Sequence, residues 1–188
     1  MKGKAIIISA PSGAGKTTIV KSLLSCISNL EFSISCTSRP IRAGETDGKD
    51  YTFISAEAFR QDIGRDRFVE WQEVYPGSFY GTPKKEVERI WAKGNTVIFE
   101  VDVIGGMNLK KYFGDHALSV FIRPPKQEDL EHRLRARGTE DEAALQKRIG
   151  KATYELGFAG QFDRVIINDN LEQACSEACA MVRDFING

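Results

Sequence analysis

The stretch "IIISAPSGAGKTT", residues 6–18, decides the fold. Three consecutive isoleucines running into small residues read as a strand covered on both faces, since no polar alternation leaves a side for water. Beyond the lysine, Ile19, Val20, Leu23, Leu24 and Ile27 recur at three-to-four spacing, the apolar stripe of a helix. Strand, glycine-rich loop and helix in that order make an anion cradle, with backbone N–H groups and the helix N-terminus facing a nucleotide's phosphates. Gly13 and Gly15 permit backbone conformations closed to residues with a side chain. The cradle comprises Ala10, Pro11, Ser12, Gly13, Ala14, Gly15, Lys16, Thr17 and Thr18. Lys16 would reach the β- and γ-phosphates of that nucleotide, and the Thr17 hydroxyl would ligate Mg²⁺. The competing reading, a glycine turn that merely ends a strand, is disfavoured by the strand and helix on either side.

The pattern G-x-x-x-x-G-K-[ST] has glycine where this chain has Ala10. Pro11 follows, and a residue before proline is driven to extended backbone at negative φ. Alanine occupies that region without strain, so the cradle is expected to close normally.

Working outward, "KAIIIS" (4–9), "TVIFEV" (96–101), "ALSVFI" (117–122) and "RVIIN" (164–168) are further short aliphatic strands. Helical patterns separate them. "TPKKEVERIWAKGN" offers Thr82 as cap, Pro83 in the first turn, Val87, Ile90 and Trp91 as apolar face, and Gly94 as stop. "LEHRLRARG" presents Leu130 and Leu134, and Thr139 and Glu142 are spaced as a capping box for the helix after it. The last helix, from about Leu171, buries Ala174, Ala178, Met181, Val182 and Phe185. The fold class is therefore α/β, a mostly parallel sheet flanked by helices.

Residues from about 33 to 90 depart from this alternation. "FSISC", "YTFI" and "FVEWQEVY" alternate or carry aromatics around the polar loop "TSRPIRAGETDGKD", which reads as a small, partly antiparallel flap inserted into the core. Residues 133–150, rich in arginine and centred on Gly138, read as a second mobile element.

Bulk properties bound the partners. The 188 residues suffice for one core with small flaps. Lys+Arg and Asp+Glu are both 26, so no global field draws the chain to nucleic acid or membrane, and any anion site is local. The mean hydropathy of −0.31 is that of an ordinary globular chain. Neither a membrane span nor a leader is evident, and no obligate protein partner is implied. Cys26, Cys36, Cys175 and Cys179 lack metal-site spacing and read as buried reduced thiols, which suits a cytoplasmic location.

A phosphate cradle fits many functions, and the insert narrows them. "SAPSGAGKTT", "TSRPIRAGETDGKDY", "FVEW", "FYGTP", "EVDVIGG", "RLRARGTE" and "INDN" occur in the order and approximate spacing of the guanylate kinases. The sequence resembles that family over nearly its whole length, about residues 3–186. The resemblance implies a P-loop core formed by residues 1–32 and 83–188, with the lid at about 133–150. It also implies a mixed-sheet GMP-binding insert at 33–82. The implied activity is ATP-dependent phosphorylation of GMP, and of dGMP, with Mg²⁺. Arg39 and Arg42, with the hydroxyls of Tyr51 and Tyr80, would hold the GMP phosphate, since guanidinium forks match phosphate oxygens. Glu70 would accept from the N1–H and N2 amine of guanine, with Ser35 and Thr82 completing the polar contacts. Asp102 would lie near the base amine and Arg39. Arg133, Arg137 and Arg148 would be lid arginines that, with Lys16 and Arg39, neutralise the moving phosphoryl group. Asn168 would lie near the adenine pocket, or simply turn the chain at the strand's end.

Each of these residues also has a plainer reading. Arg39 and Arg42 can be solvated loop arginines, Glu70 a water-facing strand residue, Tyr51 and Tyr80 core aromatics, and the lid arginines a basic helix surface. Departures from the family's pattern are Ala10, Glu100 in place of an aspartate, Ile104 in place of a glutamine, and a "VYPGSFYG" segment one residue longer. Two rivals remain, a catalytically silent peptide-binding scaffold and a kinase for another phosphorylated metabolite. The intact Lys16 and Thr17 argue against the first. The grouping of Glu70 with two arginines and two tyrosines argues against the second.

Overall fold

A computed structural model describes residues 3–136 and 142–188 of the chain. Its main sheet has five parallel strands: β1 (Ala5–Ser9), β2 (Leu30–Phe32), β7 (Thr96–Val101), β8 (Ala117–Arg123) and β9 (Arg164–Ile167). They lie in the order β2-β7-β1-β8-β9, which puts the cradle strand in the middle. Both faces of β1 are covered, which is why its sequence is an unbroken aliphatic run. Ile6 and Ile8 join a core under α1 (Lys16–Cys26), α5 (Gln127–Ala136), α6 (Glu142–Leu156) and α7 (Leu171–Asn187). Ala5 and Ile7 join the opposite core under α3 (Lys84–Ala92) and α4 (Val103–Phe113).

The second sheet is small and mixed. Its strands β3 (Cys36–Thr37), β4 (Thr52–Phe53), β5 (Phe68–Tyr75) and β6 (Ser78–Pro83) lie in the order β4-β3-β6-β5. Against it packs α2 (Ala56–Gly64), capped by Ser55, whose hydroxyl accepts from the Ala58 N–H. Phe59 stacks between Phe68 and Phe79, with ring centroids 4.4 and 5.4 Å away, and gives this sheet a core of its own.

Several expectations are met closely and others are corrected. The four core strands fall where the aliphatic runs lie, and Gly94, at φ 77°, follows the end of α3. Thr82 does not cap α3. It lies within β6, Pro83 holds the cap position without a side-chain bond, and the Thr82 hydroxyl turns to Glu70 instead. "FSISC" is divided, with Phe32 ending β2 in the main sheet and Cys36 opening β3 in the small one. Within "VYPGSFYG" the β5–β6 pairing has an irregularity between Glu73 and Tyr75, ahead of a turn at Gly77, φ 78°. Arg137, Gly138 and Thr139 lie outside the described residues.

The cysteines also need correction. Cys26, at the end of α1, is bridged to Cys179 in α7, leaving Cys36 and Cys175 free. The two helices pack side by side on one face of the sheet, a proximity that 153 residues of separation conceal in the sequence. Burial pushes the Cys36 thiol up to about 11, which makes it a poor nucleophile. Thiol titration of denatured, unreduced protein is expected to find two reactive cysteines, and four after reduction.

Candidate functional site

Two clefts open along the carboxyl ends of the main-sheet strands. The smaller, of about 300 Å³, is walled by the loop from Ala10 to Thr18 and by Asp102, Lys151 and Glu155. Ala10 adopts negative φ, as Pro11 demands, and is buried in the core beneath the loop. Gly13 and Gly15 take φ of 88° and 94°, the left-handed region that glycine enters without cost. The loop is tied from behind by Asn168, whose amide donates to the Ala14 carbonyl at 2.8 Å. A Cβ on Gly15 would collide with that amide. Asn168 therefore acts here as a tether for the loop.

Lys16 and Thr17 begin α1 at the floor of this cleft. The Lys16 ammonium donates to the Val101 carbonyl at 3.0 Å, and the Thr17 hydroxyl donates to Glu100 Oε1 at 2.6 Å. Glu100 thus reaches the threonine directly. Glu155, on α6, is 4% exposed, and burial raises its carboxyl above the usual range, while Lys151, Lys16 and the Ser12 N–H oppose that shift.

The larger cleft, of about 700 Å³, adjoins the first and is lined by Ser35, Arg42, Tyr51, Glu70, Tyr80 and Asp102 among others. Glu70 and Thr82 face each other across β5 and β6, and the Thr82 hydroxyl donates to Glu70 Oε1 at 2.8 Å. Burial pushes the Glu70 carboxyl up to about 7; Thr82 opposes the shift and the Asp102 charge adds to it. A nearly dry carboxylate with one oxygen held by Thr82 suits a ligand edge bearing parallel N–H donors.

Arg39 is not a solvated loop residue. It is 8% exposed, its fork meets Glu45 at 2.7 and 2.6 Å, and its Nε donates to Tyr80 at 3.0 Å. Its guanidinium carbon sits 5.1 Å from the Tyr51 ring centre. Glu45, which also accepts from the Arg42 N–H, is held down to about 2 by Arg39. Arg39 therefore meets Glu45 rather than Asp102. Asp102 caps α4 by accepting from the Gly105 N–H and takes the Gln72 amide at 2.8 Å. Ile104 packs against the cluster around Phe121 and Phe162, and makes the apolar contact its side chain dictates.

Of the arginines expected in a lid, Arg133 donates to the Asn168 carbonyl at 2.9 Å, and Arg148 is exposed on α6. Among the described residues no cluster of three or more His, Cys, Asp or Glu could hold a metal. No helix among them is long and apolar enough to cross a membrane.

The guanylate kinase family model matches residues 2–185. The chain belongs to the guanylate kinase family. It is 50% identical to the guanylate kinase of Bacteroides thetaiotaomicron over all of this chain and 92% of that one. It is 51% identical to that of Bacteroides fragilis over 98% and 91% of the two chains. The crystal structure of guanylate kinase from Anaplasma phagocytophilum superposes with a TM-score of 0.77 at 29% identity, covering 97% of this chain and 85% of that one.

Sequence reasoning missed Glu45, Gln72, Lys151 and Glu155. Glu45 lies three residues beyond Arg42 in a polar loop, where nothing marks it as a partner for a buried arginine. Lys151 and Glu155 carried a usable signal, since with Arg148 they repeat at three and four residues along one helical face.

Glu70 gives a stability prediction with a definite sign. Its carboxyl is raised above the ordinary value of 4.5, so the folded, ligand-free chain favours the protonated form. The resulting stabilisation is complete below about 4.5 and is lost as pH climbs through about 7. Glu70→Gln keeps the acceptor for Thr82 without the charge. It should raise the Tm of ligand-free protein at pH 8 by roughly 3–8 °C and leave it little changed at pH 4.5, as followed by calorimetry.

Proposed function

We propose that the chain transfers the γ-phosphoryl group of ATP to GMP, and to dGMP, with ATP in the smaller cleft and the monophosphate in the larger. The observation that carries this reading is the buried Glu70 carboxylate, held by Thr82 in a cleft that adjoins the phosphate loop. Guanine presents N1–H and an N2 amine side by side, which a carboxylate accepts together. Adenine presents an acceptor at N1 and nothing at C2, and would leave Glu70 unpaired. Ser35 and Thr82 would complete the base contacts, while Arg42, Tyr51, Tyr80 and the donor of Arg39 not engaged by its neighbours would take the phosphate. Residues 33–82 would then act as the monophosphate-binding unit on a core of 1–32 and 83–188. A cytoplasmic location goes with this reading.

The chemistry needs no general base. The bond from the γ-phosphorus to the β–γ bridging oxygen breaks as a GMP phosphate oxygen, already anionic, forms the new bond, and the electron pair leaves on ADP. What the protein adds is alignment and cations. Lys16 would meet the β- and γ-phosphates, and Arg39, Arg133, Arg137 and Arg148 would offset charge on the moving group. Lid closure would exclude water, which otherwise hydrolyses ATP.

The hard oxygen donors at Thr17 and Glu100 fit Mg²⁺. Thr17 would hold it directly, and Glu100, already bonded to that hydroxyl, would face its waters. When bound, the ion supplies charge neutralisation on the β- and γ-phosphates. The Glu100 departure is thereby accommodated, since the longer side chain still reaches the threonine.

A coupled ADP-release assay tests the substrate reading. GMP is expected to exceed AMP in kcat/KM by on the order of 10⁴, with ribose phosphates inert; comparable rates for AMP would overturn it. Lys16→Met is expected to abolish measurable turnover with the Tm retained, because Lys16 is at the protein surface of the cleft rather than in the core.

A further inference from the structure

Four residues line both clefts: Lys16, Thr17, Asp102 and Lys151. The first two are the lysine and threonine of the phosphate loop, and Asp102 caps the helix behind the larger cleft. Lys151 belongs to none of the motifs read from the sequence. It projects from α6 to the junction, the region through which a phosphoryl group passes from one cleft to the other.

Its surroundings favour a functional cation there. Glu155, one turn further along α6, is almost fully buried and holds its carboxylate 3.7 Å from the Lys151 ammonium. That separation exceeds hydrogen-bond length, so Glu155 orients the ammonium electrostatically without committing its three donors. The Lys151 side chain is 49% exposed, so its head stays in the solvent of the cleft. The junction is otherwise rich in negative charge, with Glu100, Asp102 and Glu155 close by and nucleotide phosphates due to enter. Lys151 and Lys16 are the two cationic side chains that line both clefts, so Lys151 adds a cation to those already assigned to the transferring group.

We propose that Lys151 is a further catalytic residue, whose ammonium contacts the phosphoryl group in transit where the two clefts meet, and that Glu155 positions it. The lysine stays protonated throughout and only follows charge. The proposal rests on the ATP:GMP phosphotransfer reading. An ammonium that meets the group only between the clefts contributes to the transition state and little to either nucleotide bound alone.

The test compares the unaltered enzyme with Lys151→Met, Lys151→Gln and Lys151→Arg. Turnover of ATP and GMP is measured, together with the affinities of ATP alone, GMP alone, and a bisubstrate compound joining adenosine and guanosine through five phosphates. Loss of the charge should lower kcat by about 10- to 100-fold. It should weaken the bisubstrate compound by about tenfold and shift each single nucleotide by less than about threefold. Lys151→Arg should restore much of the loss, and an exposed lysine should leave the Tm of all variants unchanged. A kcat within about twofold of the unaltered enzyme in Lys151→Met and Lys151→Gln overturns the proposal. So does a loss that arginine fails to restore, or one matched by an equal loss in ATP affinity. An unaltered chain that does not phosphorylate GMP removes the kinase reading itself, so the two failures are distinguishable.

Discussion

A buried hydrogen bond behind the phosphate loop, from the Asn168 amide to the Ala14 carbonyl, is the contact on which the geometry of the site depends. It joins β9's end, at the edge of the main sheet, to a loop that leaves the sheet's centre. The Arg133 guanidinium meets the Asn168 carbonyl, so α5 is referred to the same point. With the loop fixed, Gly13 and Gly15 present their N–H groups and Lys16 begins a helix whose N-terminus faces the cleft. Leu134 packs against Gly13, which closes the back of the loop with apolar atoms. Anion binding at such a site uses backbone dipoles that are already aligned, so little reorganisation opposes it.

The charged groups divide into those already paired and those held in reserve. Arg39 is paired to Glu45 and Tyr80 and rests on the Tyr51 ring, which makes it a rigid donor. In the proposed reaction a fixed guanidinium would lose little entropy when a phosphate arrives, while the more exposed Arg42 would supply an adaptable contact. Glu70 is the opposite case. Burial leaves its carboxylate short of partners, a cost to the ligand-free fold that a ligand with two donors relieves. In the proposed reaction that unmet requirement is the source of base selectivity. The same logic places Glu155 beside Lys151: a carboxylate close to a phosphate site is tolerable where it faces a cation.

The packing of α4 against Phe162 depends on an absent side chain. Gly105 lies near Glu70 and Asp102, and a Cβ on Gly106 would meet the Phe162 ring at 3.0 Å. The two glycines weaken the helix locally, and Gly106 lets it pack closely against the Phe162 ring. A helix with paired glycines gives a faint periodic signal, which is why α4 was not apparent in the sequence, whereas α3 and α7 were.

What the sequence alone determined was the part governed by local rules. An aliphatic run without alternation could only be a doubly covered strand, proline fixed the backbone of Ala10, and glycine at positions 13 and 15 allowed the left-handed turns of the cradle. Motifs in order supplied the family, and with it the expectation for Glu70 and the arginines. The tertiary structure alone decided which distant groups meet. Glu45 on Arg39, Thr82 on Glu70 rather than on the α3 N-terminus, Asn168 on Ala14, Cys26 on Cys179, and Lys151 at the junction all follow from how sheets and helices pack. Hydrogen bonds and charge pairs between such groups carry no periodicity, so only the packed chain brings them within reach.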